Sequence, residues 1–159
     1  MKTLLLGLGN ELYGDDGIGI HVIRRLREEA GKKKSTAALL RGVDLEECSL
    51  SGLSLLDVIV GYDRLIIVDT IKRTSPVPGK IRLLGEGDIR ALPGPSPHYV
   101  SIPQAVEIGR TIGLHVPSEI RIVAVEAKSM YSLGEDLSPK MRAKLPAIVR
   151  KVKSVLIGN

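Results

Sequence analysis

Two acidic residues and one histidine are the side chains of this sequence that are best placed to do chemistry. Asp16 follows a glycine-rich segment, Asp69 ends an otherwise apolar run, and His98 closes a proline-rich segment. Two carboxylates and one imidazole make a mixed oxygen and nitrogen donor set, which suits borderline divalent ions such as nickel or zinc. Because the three residues are far apart in the sequence, they can form one metal site only if the fold brings them together.

Each of these residues also has a purely structural interpretation. Asp15 or Asp16 could begin the following helix as its cap, since a carboxylate there accepts hydrogen bonds from free backbone N–H groups. Asp69 could cap a turn, and His98 could be a loop histidine without a role in binding. Spacing alone does not separate these interpretations from a metal site, so the predicted fold has to decide between them.

The glycine-rich segment suits a cation better than a nucleotide. A dinucleotide-binding loop has the pattern Gly-x-Gly-x-x-Gly, and Leu12 occupies the third glycine position here. Asp15 and Asp16 stand where a pyrophosphate would bind, and like charges about 4 Å apart repel by roughly 1 kcal/mol in water. Nucleotide binding is therefore a weak hypothesis for this protein, and saturable binding of NAD or ATP would be needed to revive it.

The cysteine and the other two histidines are weaker candidates for a functional site. Cys48 is the only cysteine, which excludes an intramolecular disulfide and fits a reducing compartment. It has no neighbour in the sequence that would activate a thiol, so we expect it to be inert. We expect His21 at the surface and His115 in a structural connection. The sequence contains neither Gly-x-Ser-x-Gly nor His-Glu-x-x-His, the motifs of serine hydrolases and zincins.

Short apolar runs alternate with amphipathic segments along the chain, which is typical of an α/β protein. Ile18, Val22 and Leu26 recur every four residues, as on the buried face of a helix. We expect Ser101 to cap one helix and Pro146 to kink or split the last one. The predicted strands are 3–8, 37–40, 64–69, 80–84 and 119–125, and the predicted helices are 15–30, 53–60, 102–112 and 138–156.

This order of elements predicts a three-layer α/β fold, with a mostly parallel twisted sheet of about five strands and helices on both faces. The segment 80–84 is expected to be an antiparallel edge strand, because it follows a Pro-Gly turn. In open α/β sheets, ligands bind beyond the carboxyl ends of the strands. Asp16, Asp69 and His98 all fall at that edge, so we expect them to converge there.

Composition bounds the class of protein. The chain has 159 residues, of which 43% are hydrophobic, and it is expected to form one domain over 1–159. No apolar run suits a bilayer span or a secretory signal, so we expect a soluble, cytoplasmic protein with no membrane insertion. The net charge is +5, but without a nucleic-acid-binding module this excess indicates a solvated face. An acidic protein partner is the interaction that the charge favours, and a monomer is the default expectation.

Residues 7–19 resemble the signature of the hydrogenase maturation proteases. In this family a Gly-x-Gly-Asn-x-Leu block precedes an Asp-Asp/Glu-x-x-Gly block, and the two blocks match 7–12 and 15–19. The resemblance continues in the right order at 65–69, 96–98 and 123–126. It therefore covers nearly the whole chain.

The resemblance implies a specific activity. Members of this family are endopeptidases that remove a C-terminal extension from the large-subunit precursor of a [NiFe]-hydrogenase after nickel insertion. Carried over position by position, the metal ligands and catalytic residues are Asp16, Asp69 and His98, and the family accepts Asp or Glu at the first. The implied ion is Ni²⁺ supplied by the substrate, although the donor set also suits other divalent ions such as Zn²⁺. The candidates that would shape the substrate cleft include Gly7, Gly9, Asn10 and Glu126.

One region departs from the family pattern. The family usually carries a Gly-Thr-x-Gly loop after the second strand, often led by an acidic residue, but in the region 41–52 only Gly52 remains of it. Asp44 could replace the usual acid, so Asp44 and Gly52 complete the candidates for the cleft. The altered loop motivates an alternative function, a non-catalytic, metal-dependent chaperone or binding module for the same precursor.

Overall fold

A five-stranded sheet forms the centre of the molecule. The computed structural model describes residues 1–50, 52–90, 97–128, 133–134 and 136–158, with side chains except at 89–90 and 97–101. In chain order the strands are β1 (Thr3–Leu8), β2 (Val43–Cys48), β3 (Arg64–Ile71), β4 (Ile81–Gly85) and β5 (Glu119–Glu126). They lie in the order β2-β1-β3-β5-β4, and all neighbours are parallel except the antiparallel pair β4 and β5. The predicted mostly parallel sheet with an antiparallel edge strand is confirmed.

Six α-helices are seen in the described residues. They are α1 (Ile18–Lys32), α2 (Lys34–Leu39), α3 (Ser54–Ile59), α4 (Glu86–Arg90), α5 (Pro97–Thr111) and α6 (Pro139–Ile157). None of the described helices is both long enough and apolar enough to cross a bilayer.

The two faces of the sheet carry separate hydrophobic clusters, because successive side chains of a strand point to opposite faces. On one face, α3 and α5 pack through residues such as Leu55 and Val106 against Leu65 and Ile67 of β3. On the other face, α1 and α6 pack against Ile66, Val68 and their neighbours in β1 and β5. The predicted three layers are therefore present, and β1 and β3 are buried along their whole length.

The second strand was predicted in the wrong place. Residues 37–40 belong largely to helix α2, and the strand follows at Val43–Cys48. Ala and Leu are among the best helix formers, so the sequence Ala-Ala-Leu favours a helix. The true strand β2 lies at the sheet edge, where its side chains alternate between partly buried and exposed. It therefore lacks the continuous apolar run that marks a central parallel strand.

The starts of two helices and the interior of a third also differ from prediction. A 3₁₀ turn over Gly14–Gly17 precedes α1, whose N-cap is Gly17, so neither Asp15 nor Asp16 caps that helix. Helix α5 begins at Pro97, before the Ser101 that was predicted to cap it. Helix α6 continues as one helix through Pro146, so it is not split there, and the alternative of a kink stays a prediction.

Candidate functional site

The connections between strands reverse direction between β1 and β3, which is the position where open α/β sheets form a binding crevice. The chain leaves β1 towards β2 on one side, and β3 lies on the other side, which makes this position a topological switch point. The last β1 residue paired with β3 is Gly7, opposite Val68. Asp69 and Thr70 therefore lie beyond the paired part of β1, at the carboxyl edge where ligands bind in such sheets.

Two glycines allow the chain to close over this edge. Gly9 has φ of +142°, and a Cβ there would overlap the backbone oxygen of Asp16. A Cβ at Gly19 would overlap the backbone oxygens of Leu8 and Val68. Because neither position has a side chain, the start of α1 packs directly against the ends of β1 and β3. The 3₁₀ turn before α1 is thereby held at the same edge of the sheet.

Asp16 lies in that 3₁₀ turn with 7% of its surface exposed. Its Oδ2 accepts a hydrogen bond of 2.9 Å from the backbone N–H of Asn10, and its Oδ1 accepts one of 2.8 Å from the Thr70 hydroxyl. No Lys, Arg or His among the described side chains forms an ion pair with Asp16. The carboxylate is thus held by neutral donors in a nearly buried position.

Asp69 is fully buried in β3. Its Oδ1 accepts a hydrogen bond of 2.7 Å from the backbone N–H of Thr70. The same threonine therefore bonds to both acids, through its hydroxyl to Asp16 and through its backbone to Asp69. Both predicted acids are thus within hydrogen-bonding distance of one residue, Thr70.

His98 is the second residue of α5 rather than a loop residue. Its side chain lies outside the described residues, so its position relative to the two acids stays a prediction. Asp69 has the strand parity of Leu65 and Ile67, whose side chains pack in the α3 and α5 cluster. The backbone of His98 and the side chain of Asp69 thus belong to the same side of the sheet.

Asp15 points away from the crevice and supports α6 instead. Its Oδ1 accepts a hydrogen bond of 2.7 Å from the backbone N–H of Ser138, and its Oδ2 accepts one of 2.8 Å from the Ser138 hydroxyl. Ser138 is the N-cap of α6, and its Oγ accepts from the Met141 N–H. Adjacent acids therefore have separate tasks, one structural and one at the crevice.

The glycine-rich segment lines a cleft of about 400 Å³, and Asn10 in its lining donates its backbone N–H to Asp16. Gly9 and Asn10 form one wall, while Gly7 is buried within β1. The cleft also contains Arg24, which donates hydrogen bonds to Glu11 and Glu47. These three charged residues were not among the predicted candidates, because their positions on α1 and on two other segments meet only in the folded chain.

Gly52 lies at a second groove, of about 460 Å³, between α3 and α5. Asp44 is the second residue of β2, opposite Leu4 of β1, and so lies at the amino end of the strand. Its Oδ2 accepts a hydrogen bond of 2.8 Å from the Tyr62 hydroxyl. Its predicted place in the cleft rested on reading 41–52 as one loop. Because β2 runs through this region, Asp44 is separated from the crevice by the length of the strand.

Glu126 is buried at the end of β5. Its Oε2 accepts a hydrogen bond of 2.8 Å from the Val77 N–H, and its Oε1 accepts one of 2.7 Å from Arg82. Burial raises the pKa of this carboxyl group, but the two hydrogen bonds and the positive charge of Arg82 outweigh burial and lower it. Glu126 therefore anchors the segment after β3, which is a structural task rather than the open position that a cleft residue requires.

The single cysteine is a poor nucleophile. Cys48 is buried at the end of β2, and burial raises the pKa of its thiol. The two other histidines have different surroundings. His115 bonds to Asp63 over 2.9 Å, and His21 is partly buried, with burial and Arg24 lowering its pKa.

The fold and the crevice together define an α/β protein with two buried carboxylates at the switch point of its sheet. The sequence profile of the hydrogenase maturation protease family HycI matches residues 20–155. The chain therefore belongs to the hydrogenase maturation protease family.

Individual relatives agree with this assignment. The chain is 26% identical over 159 residues to the hydrogenase 2 maturation protease of Escherichia coli K12, covering 98% of this chain and 91% of that protein. It is similar in fold to the hydrogenase maturating endopeptidase HybD from E. coli, with a TM-score of 0.79 and 24% identity over 99% of this chain and 93% of that one. The [NiFe] hydrogenase maturation protease HybD from Thermococcus kodakarensis gives a TM-score of 0.73 and 24% identity over 98% and 99%.

Proposed function

We propose that this protein is an endopeptidase that removes the C-terminal extension of a nickel-loaded [NiFe]-hydrogenase large-subunit precursor. The observation that carries the proposal is the pair of buried carboxylates, Asp16 and Asp69, which Thr70 holds at the carboxyl edge of the sheet. Membership of the hydrogenase maturation protease family supports a hydrolase that acts on hydrogenase precursors.

The donor set fits a divalent ion. Each Asp16 oxygen accepts one hydrogen bond, and a carboxylate oxygen can accept a second interaction. Asp16 lacks a cationic partner among the described side chains, and buried carboxylates are usually paired or coordinate a metal. Asp16, Asp69 and His98 would hold the ion, which we take to be the nickel of the precursor; Zn²⁺ is the alternative for this donor set.

The chemistry of such a site is hydrolysis of a peptide bond. A divalent ion supplies Lewis acidity towards a carbonyl oxygen or a water molecule. One of the two carboxylates, Asp16 or Asp69, would take up the proton of the attacking water as a general base. The Gly9 and Asn10 wall would position the peptide beside them.

The test compares cleavage of matched nickel-loaded and nickel-free precursors, with the products weighed by mass spectrometry. We expect loss of the C-terminal extension from the nickel-loaded form alone. Asp16→Ala should reduce the cleavage rate by at least about 100-fold. It removes a proposed metal ligand itself, and replacing residues that only support a ligand already costs about 10–100-fold. Asp57→Ala is the matched control, because Asp57 is an exposed acid on α3, and it should cleave at the wild-type rate.

Two outcomes would count against the proposal. If the wild-type protein leaves the matching nickel-loaded precursor uncut, it is not the processing protease for that precursor. A tight complex without any loss of mass would instead favour the non-catalytic chaperone. Asp16→Glu adds a further check, because a longer carboxylate in the same place should recover part of the activity.

A further inference from the structure

Thr70 is the residue that links the two acids. The sequence does not indicate this role, because a single threonine in an apolar strand matches no functional motif. It is fully buried at the seventh position of the eight-residue strand β3. Its hydroxyl donates to Oδ1 of Asp16 over 2.8 Å, and its N–H donates to Oδ1 of Asp69 over 2.7 Å. One rigid strand residue therefore contacts both carboxylates.

The end of β1 explains why the Thr70 backbone is available. The β1 and β3 pairing stops at Gly7 and Val68, so Thr70 has no partner residue in β1. Its N–H bonds to the neighbouring Asp69 side chain instead. Because the pairing with β1 ends before Thr70, the backbone N–H of this β3 residue is free to bond to the Asp69 side chain.

The hydroxyl of Thr70 also fixes the plane of the Asp16 carboxylate. A hydroxyl has one hydrogen to donate, and here that hydrogen is directed at Oδ1, while the Asn10 N–H occupies Oδ2. A carboxylate with a donor on each oxygen cannot rotate without breaking one of these bonds. Hydrogen bonds to a charged acceptor are stronger than neutral ones, so this orientation is well held.

We propose that Thr70 is a positioning residue, which sets the relative orientation of Asp16 and Asp69 for peptide cleavage without touching the substrate. The inference rests on the proposed protease function. Residues behind metal ligands orient them and commonly change metal affinity or activity by about 10–100-fold when they are replaced.

The decisive variant is Thr70→Val, which keeps the shape of the side chain and removes the hydroxyl group. We expect kcat for the nickel-loaded precursor to fall by about 10–100-fold, with KM changed less than about threefold, because the peptide-binding wall is untouched. Thr70→Ser restores the donor and should return kcat to within about threefold of wild type.

Thr36→Val is the matched control. Thr36 is also buried, and its Oγ1 accepts a hydrogen bond of 3.0 Å from Lys153. Lys153 also bonds to Glu29, so this contact lies near the C-terminal ends of α1 and α6, whereas Asp16 precedes the start of α1. This variant also loses a buried hydroxyl contact, so it reports the cost of that loss to the fold. It should cleave like the wild type.

A second measurement does not depend on activity. In the ¹³C NMR spectrum of the full chain at one fixed pH, the Asp16 and Asp69 carboxyl signals should shift in Thr70→Val and remain in place in Thr36→Val. Unchanged signals together with wild-type kcat in Thr70→Val would overturn the inference, as would an equal loss of kcat in Thr36→Val. If the wild-type protein cuts no precursor, the proposed function fails, while the NMR comparison still decides whether Thr70 orients the acids.

Discussion

At the scale of single residues, the crevice depends on how closely α1 approaches the strand ends. Gly19 lies in the first turn of α1, against the backbone oxygens of Leu8 and Val68. Any side chain there would push the helix, and with it the 3₁₀ turn that carries Asp16, away from Thr70. The glycine is thus required by packing rather than by its backbone conformation.

Gly19→Ala tests this contact. We expect it to lower the free energy of unfolding by about 3 kcal/mol, the upper end of the range for overpacking, because the added Cβ meets backbone that cannot move aside. The measurement is urea unfolding followed by circular dichroism. Cleavage activity should fall as well, since Asp16 moves with the start of the helix.

Gly31→Ala is the control within the same helix. A Cβ at Gly31 would meet nothing within 4 Å, so this change should stabilise the protein by about 0.5–1 kcal/mol through helix propensity. If both variants had the same stability, the close approach at Gly19 would not control the packing of α1.

At the scale of elements, helix α6 is held at both ends by groups of the appropriate charge. Asp15 bonds to Ser138 at the N-terminus, and Arg64 of β3 donates to the carbonyl oxygens of Val155 and Leu156 at the C-terminus. An acid near the first turn and a cation near the last turn both oppose the helix dipole. The contact at Asp15 joins α6 to the 3₁₀ turn that also contains Asp16.

Ser138→Ala should weaken that junction. The variant loses the cap on the Met141 N–H and the hydroxyl contact with Asp15, at a cost of about 1–2 kcal/mol. For a chain of this length the melting temperature should fall by about 2–4 °C for each kcal/mol.

Hydrogen exchange locates the effect of Ser138→Ala. Exchange should accelerate mainly in the first turn of α6, and the exposed Ser75→Ala should change neither observable. An unchanged melting temperature in Ser138→Ala would show that the Ser138 hydroxyl contributes nothing to holding the helix.

The strands and helices differ in how well the sequence predicts them. Strands β1 and β3 were predicted correctly or within two residues, because buried parallel strands are continuous apolar runs. Strand β2 was missed, because an edge strand with alternating polar residues looks like a loop beside a helix-forming Ala-Ala-Leu sequence. The early start of α5 was missed because a proline-rich segment reads as a loop.

At the scale of the whole molecule, the switch-point rule predicted the edge of the sheet on which Asp16 and Asp69 lie. It could not predict Thr70, whose role depends on where β1 stops relative to β3. Asp44 was a candidate from the resemblance to the family loop, and its place near the start of β2, away from that edge, depends on the folded chain. The position of the His98 side chain relative to the acids stays a prediction.

The acid stability of the whole fold should depend on Glu126, which joins β5 to β4 through Arg82 and to the segment after β3 through Val77. The folded pKa of Glu126 lies below its ordinary value, which is about 4.3 in an unfolded chain. Its contribution is therefore fully present above about pH 4.3 and is lost as the pH falls through the folded pKa.

Glu126→Gln tests this dependence. The variant keeps the shape of the side chain but cannot satisfy both donors as an ionised group does, so it should be about 1–3 kcal/mol less stable than wild type at about pH 7. The difference should begin to shrink below about pH 4.3, where the carboxylate is protonated in the unfolded chain, and should shrink further as the pH falls through the folded pKa. Urea unfolding at a series of pH values measures both limits, with the exposed Glu46→Gln on β2 as the control. A stability difference that stays constant through the acid range would show that the charge of Glu126 contributes nothing to holding the strands together.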